Sequence, residues 1–333
     1  MLEHHILNVI ILFLAIVIVY QGDFFTPEYT IHEHGLVLVT GASSGIGKDA
    51  TSYLANKGFH VLAGVRKQKQ YEDLLREREG SNDDSRINII PLLIDVTSSE
   101  SISKALADAN NISTTLNLPL VAIVNNAGIA LLQQPLEMTD QREIRRVFDT
   151  NVFGAIDVTQ QFLPMIKKSV GRVIMISSLA GIIAGPMTST YAASKHALES
   201  YSDSLRRELA QFNVSVSVIE PGYIQSNIVR NSNVDNDSNS DDERTYGLYS
   251  EMQKAVAEGD RNGVENGDPP IVSSQAIYDA ITSKKPKTRY LVGKLHKTIY
   301  LFTAILSDRY MDKLLTSGLI EYLDFCIFSS HCL

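Results

Sequence analysis

Leu36-Val37-Leu38-Val39-Thr40-Gly41-Ala42-Ser43-Ser44-Gly45-Ile46-Gly47 is the stretch on which the reading of this chain turns. A short apolar run leads straight into a turn carrying three glycines, and a helical pattern follows. A buried strand that enters a helix this way directs free backbone amides, and the positive end of the helix dipole, at one point in space. Glycine is required where the backbone must turn tightly or press against a ligand, because a Cβ would intrude. The spacing is Gly-x-x-x-Gly-x-Gly, not the more frequent Gly-x-Gly-x-x-Gly. It predicts a diphosphate held at Gly41, Ser43, Ser44, Gly45, Ile46 and Gly47.

Working outward, similar apolar runs recur at His60–Val65, Asn88–Ile94, Leu120–Asn125, Arg172–Ser177, Val214–Ile219 and Arg289–Val292, with helical stretches between them. Continuous apolarity suits strands covered on both faces. Strands alternating with helices imply right-handed crossovers and one parallel sheet. The expected fold is therefore α/β, a Rossmann-type doubly wound parallel sheet of about seven strands. It forms a single catalytic domain over residues 31–298. No linker or internal repeat interrupts the series. Residues 231–243 (NSNVDNDSNSDDE) are polar and acidic and read as a mobile loop. Residues 299–333 carry apolar positions at helical spacing, which predicts an amphipathic packing helix or a membrane-surface segment.

A sheet of this type binding NAD would place an acid about twenty residues beyond the turn, on the ribose 2′-hydroxyl. The stretch Ala63-Gly64-Val65-Arg66-Lys67-Gln68-Lys69 offers no acid. A guanidinium suits a 2′-phosphate, which it can hold with paired hydrogen bonds. Arg66 therefore favours NADP(H) over NAD(H), although a solvated basic turn would read the same way.

Ser177-Ser178 is followed by Tyr191-Ala192-Ala193-Ser194-Lys195. A phenol with a pKa near 10 is a poor proton carrier at neutral pH unless a cation lowers it. Tyr191 and Lys195 are four apart and share a helix face, so the ammonium is expected to depress the phenol pKa while a serine holds the substrate oxygen. Alone, Tyr-x-x-x-Lys recurs by chance in many helices.

The ensemble carries more weight than any part. The glycine turn at 40–47, Asp95 in Asp-Val-Thr, Asn125-Asn126-Ala127-Gly128, Asn151, Ser178, Tyr191, Lys195 and Pro221-Gly222 stand in the order and spacing of the short-chain dehydrogenase/reductase family. The chain resembles that family from about Leu36 to Val292, and within it the membrane-associated branch of hydroxysteroid and retinol dehydrogenases. The resemblance implies that Tyr191 exchanges a proton with an alcohol or carbonyl oxygen. Lys195 would tune Tyr191 and hold the nicotinamide ribose. Ser178 would bind the reacting oxygen, with Ser177 the weaker choice, and Asn151 would anchor a water linking Lys195 to solvent. Asp95 and Val96 would meet the adenine, Asn126 would line the cofactor groove, and Ile224 and Ser226 would lie at the nicotinamide. Ser226 stands where the family usually has Thr. Assembly as a homodimer or homotetramer is also implied.

Composition narrows the partners. The net charge of -8, from 30 Lys+Arg and 38 Asp+Glu, argues against nucleic acid. Cys326 and Cys332 are the only cysteines, so no disulfide framework spans the body, and no Cys/His cluster has metal-ligand spacing. This usage fits a reducing compartment. Asn-x-Ser/Thr matches at Asn111, Asn213 and Asn236 read as chance.

The apolar run at 6–20 would rise only about 22 Å as a helix, against a hydrocarbon core of about 30 Å. It lacks the basic flank and small-residue cleavage site of a secretory signal. Residues 1–30 are expected to be a membrane anchor and linker, on the endoplasmic reticulum or another internal membrane. No Lys or Arg precedes Lys48, so charge does not orient it. Leu132, Met187, Tyr223 and Leu248 are apolar candidates for a substrate pocket, and with the anchor they suggest a lipophilic, steroid- or retinoid-like substrate. A long-chain keto-lipid reductase of the 3-keto sphingoid base type is the enzymatic rival. A non-catalytic NADP(H)-binding sensor and a secreted soluble enzyme are the others.

Overall fold

The computed structural model describes residues 27–79, 88–131, 133–225, 243–293 and 296–316. The strands are β1 (Leu36–Thr40), β2 (His60–Val65), β3 (Ile89–Leu93), β4 (Leu120–Asn125), β5 (Arg172–Ile176), β6 (Ser215–Pro221) and β7 (Arg289–Val292). The helices are α1 (Gly45–Asn56), α2 (Gln68–Glu79), α3 (Ser99–Leu116), α4 (Gln141–Phe148), α5 (Ala155–Ser169), α6 (Ser189–Leu209), α7 (Glu243–Glu265), α8 (Ile271–Thr282), α9 (His296–Ile305) and α10 (Asp308–Thr316).

All seven strands are parallel, in the order β3-β2-β1-β4-β5-β6-β7. The doubly wound sheet expected from the sequence is present as a single domain. Its faces explain why the strands read as continuous apolar runs. On β1, Val37 and Val39 pack with Ala50 and Leu54 of α1 and Ile277 and Ile281 of α8. Leu36 and Leu38 point the other way, into Ile102 of α3, Phe162 and Ile166 of α5, and Leu198 of α6. Every residue of β1 is therefore buried, which alternating polarity would not allow.

Chain order reverses at β1. The connection from β1 leads to β2 on one side, while β4 lies on the other. Loops leaving the carboxyl ends of β1 and β4 diverge, and a crevice opens between them.

Three strands differ from expectation in their limits, because pairing partners set strand ends. Ile89–Leu93 is shorter than 88–94, and β5 stops at Ile176. β6 runs on to Pro221, since Glu220 and Pro221 still have partners in Leu291 and Val292. Pro91 lies within β3, which is tolerated because β3 is an edge strand.

At the opposite, amino-terminal end of the sheet, Arg172 is fully buried. Its guanidinium donates to the Thr30 carbonyl (2.6 Å), the Ser283 carbonyl (3.0 Å) and Ser215 Oγ (2.8 Å). It also lies 5.1 Å from the Tyr29 ring centre. Burial without a carboxylate partner pushes its pKa down to about 10. The Tyr29 amide donates to the Lys284 carbonyl (2.9 Å) beside a Glu28–Lys284 ion pair (2.8 Å). Residues 27–34 are thereby fastened to the floor of the sheet.

The apolar run at 6–20, residues 231–242, Leu132, Ser226 and both cysteines lie outside the described residues. Glu243, placed in the acidic loop by its composition, instead opens α7. Helix α9 spans residue 298, and α10 buries Met311 while Leu301, Ile305 and Tyr310 stay exposed. Among the described residues no helix is long and apolar enough to cross a membrane, and no group of His, Cys, Asp and Glu is placed to hold a metal.

Candidate active site

The crevice begins at the glycine turn. Gly41 (φ 69°) and Gly45 (φ 53°) both adopt the left-handed conformation that glycine tolerates best. Gly47 is glycine for a different reason. A Cβ there would lie 2.3 Å from both the Gly41 carbonyl oxygen and Asn126 Nδ2. Asn126 is the stitch: Nδ2 donates to the carbonyls of Thr40 (2.9 Å) and Gly41 (3.2 Å). Thr40 Oγ1 accepts the amides of Asn126 and Ala127, each at 3.0 Å. Ser44, the N-cap of α1, makes no side-chain capping bond, so the first amides of the helix lack their usual internal acceptor.

A cleft of about 300 Å³ runs from this turn across the carboxyl ends of the strands. Gly41, Ser43, Ser44, Gly45 and Ile46 line it after β1, with Arg66, Asp95 and Val96 after β2 and β3 to one side. Asn126 after β4, and Ser178 and Ile224 beyond β5 and β6, line the other side together with Tyr191 and Lys195. Gly47 and Asn151 stand behind the wall instead. A turn of left-handed glycines, an uncapped helix end and a neighbouring guanidinium together fit a nucleotide diphosphate carrying a further phosphate.

Tyr191 and Lys195 project from successive turns of α6, both at least nine-tenths buried. Lys195 Nζ lies 5.7 Å from the Tyr191 ring centre and donates to the Ile176 carbonyl at 2.8 Å. Burial pushes the ammonium pKa down to about 8, against the opposing pull of the Glu199 carboxylate. Tyr191 departs from the sequence-based expectation. Burial raises its phenol above the ordinary value, and a hydrogen bond with Ser178 offsets only part of that rise. Both groups are desolvated, and for Tyr191 the cost of burying a phenolate dominates. Ser178 Oγ also accepts the Ala180 amide (3.1 Å), which fixes the hydroxyl at the start of a short 3₁₀ turn.

Asn151 lies in a π-helical turn between α4 and α5. Its Oδ1 accepts the Ile129 amide (2.8 Å), and Nδ2 donates to the Ile129 carbonyl (2.9 Å) and Ser194 Oγ (3.0 Å). A Cβ on Gly128 would be 3.4 Å from Asn151 Oδ1 and 3.7 Å from Lys195 Nζ, so this glycine stands between the two side chains.

Of the apolar pocket candidates, Tyr223 lines the cleft, whereas Met187 is buried outside it and Leu248 is 83% exposed on α7. Helix α7 is held over the cleft by Asp260, whose carboxylate accepts from Tyr223 Oη (3.1 Å) and Gln133 Nε2 (3.1 Å). Nothing local in the sequence marks Asp260. Gln70 also escaped the sequence reading. It lines the cleft and donates to Ser43 Oγ at 3.1 Å. Its position one helical turn after Arg66 was the available signal.

Residues 35–237 match the family model described as short chain dehydrogenase. The chain is 32% identical over 287 residues to retinol dehydrogenase 16 of Rattus norvegicus, covering 84% of this chain and 86% of the relative. It is 32% identical over 283 residues to an NADPH-dependent 3-dehydrocapnine reductase of Ornithobacterium rhinotracheale, covering 83% and 94%. A short-chain dehydrogenase from Streptomyces avermitilis has a similar structure, with a TM-score of 0.66 at 25% identity, over 87% of this chain and 98% of the other.

Proposed function

The chain belongs to the short-chain dehydrogenase family and is an oxidoreductase acting on CH–OH groups, and we propose that it uses NADP(H) to interconvert an alcohol and a carbonyl on a lipophilic, steroid- or retinoid-like substrate. The observation that carries this reading is the meeting of Ser178, Tyr191 and Lys195 on one side of the cleft.

NADP(H), held in the cleft, would supply the hydride chemistry. The chain provides the rest. Tyr191 gives its phenolic proton to the carbonyl oxygen in reduction and recovers it from the hydroxyl in oxidation. Because burial keeps the phenol protonated at neutral pH, reduction finds the acid ready. Ser178 holds the reacting oxygen beside it. Lys195 would hold the ribose, Arg66 the 2′-phosphate, Asp95 and Val96 the adenine, and Ile224 would lie at the nicotinamide. NAD(H) is the weaker cofactor in this scheme.

A lipophilic substrate is supported by apolar side chains in the cleft wall, among them Ile129, Ala130, Ile224 and Val264. Such side chains favour apolar ligands. A long-chain keto-lipid reductase is the second reading, favoured because one relative is named as an NADPH-dependent reductase. Association with an internal membrane through the apolar run at 6–20, and assembly as a homodimer or homotetramer, belong to the same proposal.

The test is turnover of a panel of retinoids, steroids and long-chain keto-lipids with NADPH and NADH. Consumption of NADPH with a lipophilic carbonyl is expected. Turnover confined to hydrophilic substrates, or faster with NADH throughout, would overturn the reading. Recovery of intact protein in carbonate-washed membranes tests the anchor.

A further inference from the structure

Behind Lys195 lies a buried charged cluster that the proposed chemistry does not use. Glu199 is one turn beyond Lys195 on α6, and Glu220 is the penultimate residue of β6. Glu220 is wholly buried and Glu199 nearly so. Both converge on one guanidinium: Arg289 of β7 lies 3.1 Å from Glu199 Oε2 and 3.3 Å from Glu220 Oε1. Arg289 also meets Asp203 at 3.1 Å, and Asp203 in turn meets Arg206 at 2.9 Å. The remaining groups at the cluster are Lys195 on α6, Arg207, 3.8 Å from Asp203, and Ser177, just past β5. A Cβ on Gly181 would stand 2.6 Å from Ser177 Oγ and 3.3 Å from Glu199 Oε1.

Glu199 Oε1 and both Glu220 carboxylate oxygens are buried without a well-formed hydrogen bond, and the nearby Ser177 Oγ is likewise unpartnered. Two ionised carboxylates side by side, one of them wholly buried, repel each other, whereas a proton held between them relieves that repulsion and supplies a donor. Consistent with this, burial and the Glu199 charge push Glu220 up to about 8.

We propose that Glu199 and Glu220 share one proton, and that the single negative charge left on the pair keeps Lys195 an ammonium, which makes Glu199 a positioning residue for Tyr191 and Lys195. The proposal rests on the functional reading above for its kinetic consequence, but not for the shared proton itself.

Two measurements test it. Difference infrared spectroscopy of unliganded wild type against Glu220→Gln should reveal one carboxylic-acid carbonyl band at pH 7 that disappears as pH rises through about 8. In pH profiles, Glu199→Gln should move the loss of activity at alkaline pH down by about one unit, and Glu199→Asp should restore at least half of that shift. NADPH affinity, followed by its fluorescence, should weaken at correspondingly lower pH in Glu199→Gln. Absence of the band, or an alkaline limb and NADPH affinity unmoved in Glu199→Gln, would overturn the proposal. If no lipid carbonyl is turned over by wild type, the functional reading fails, and the band and the NADPH titration still decide the pair.

Discussion

Lys195 lies 5.7 Å from the Tyr191 ring centre while donating its hydrogen bond to the Ile176 carbonyl, so strand β5 fixes the cation and helix α6 fixes the phenol. Tyr191→Phe removes the phenolic hydroxyl, and with it the proton donor and the bond to Ser178, and should lower kcat by about 10²–10⁴-fold, with NADPH binding retained. Turnover within tenfold of wild type would refute the assignment.

The lowered Lys195 pKa has a definite sign. The ammonium exists below about 8 and is lost above it. The kcat/KM for carbonyl reduction should therefore decline as pH rises through that value. A profile flat to pH 10 would contradict this.

Arg66 is exposed at the cleft rim, so solvent screens its interactions. Arg66→Ala should raise KM for NADPH about tenfold and leave KM for NADH unchanged. Equal effects on both cofactors would remove the 2′-phosphate assignment.

Gly47→Ala forces a methyl group against the Gly41 carbonyl and Asn126, neither of which can move freely. A loss of about 1–3 kcal/mol in stability is expected, with cofactor binding impaired, and denaturant melts would measure it.

Stability should also carry the mark of Glu220. Its pKa rises from 4.5 to about 8 on folding, so the folded state holds an extra proton between those values. Folding stability from this group is present at low pH and declines as pH rises through the window. Relative to Glu220→Gln, wild type should lose Tm steadily from pH 5 to pH 8 and level off above it. A constant difference would show that Glu220 is ionised throughout.

Much of this was legible in the sequence because the evidence was local. The run Leu36–Thr40 and its glycines are adjacent, and Tyr191 and Lys195 are one helical turn apart. Strand limits were less legible: β6 extends to Pro221 because β7, seventy residues on, offers partners. The direction of the Tyr191 shift depends on burial created by the whole fold, which no spacing encodes. Glu199, Glu220 and Arg289 converge from three elements, so their pairing has no sequence signature. The bonds of Asn151 to Ile129 and Ser194 likewise have no signature in the sequence.

The clasp made by Arg172 has a mechanical consequence. It fastens Thr30 to Ser283 and Ser215 at the end of the sheet away from Ser178 and Tyr191. A pull applied through the chain ahead of Pro27 is borne by that floor and does not load the loops of the cleft. Surface tethering through the amino terminus should therefore leave turnover intact until the clasp itself gives way.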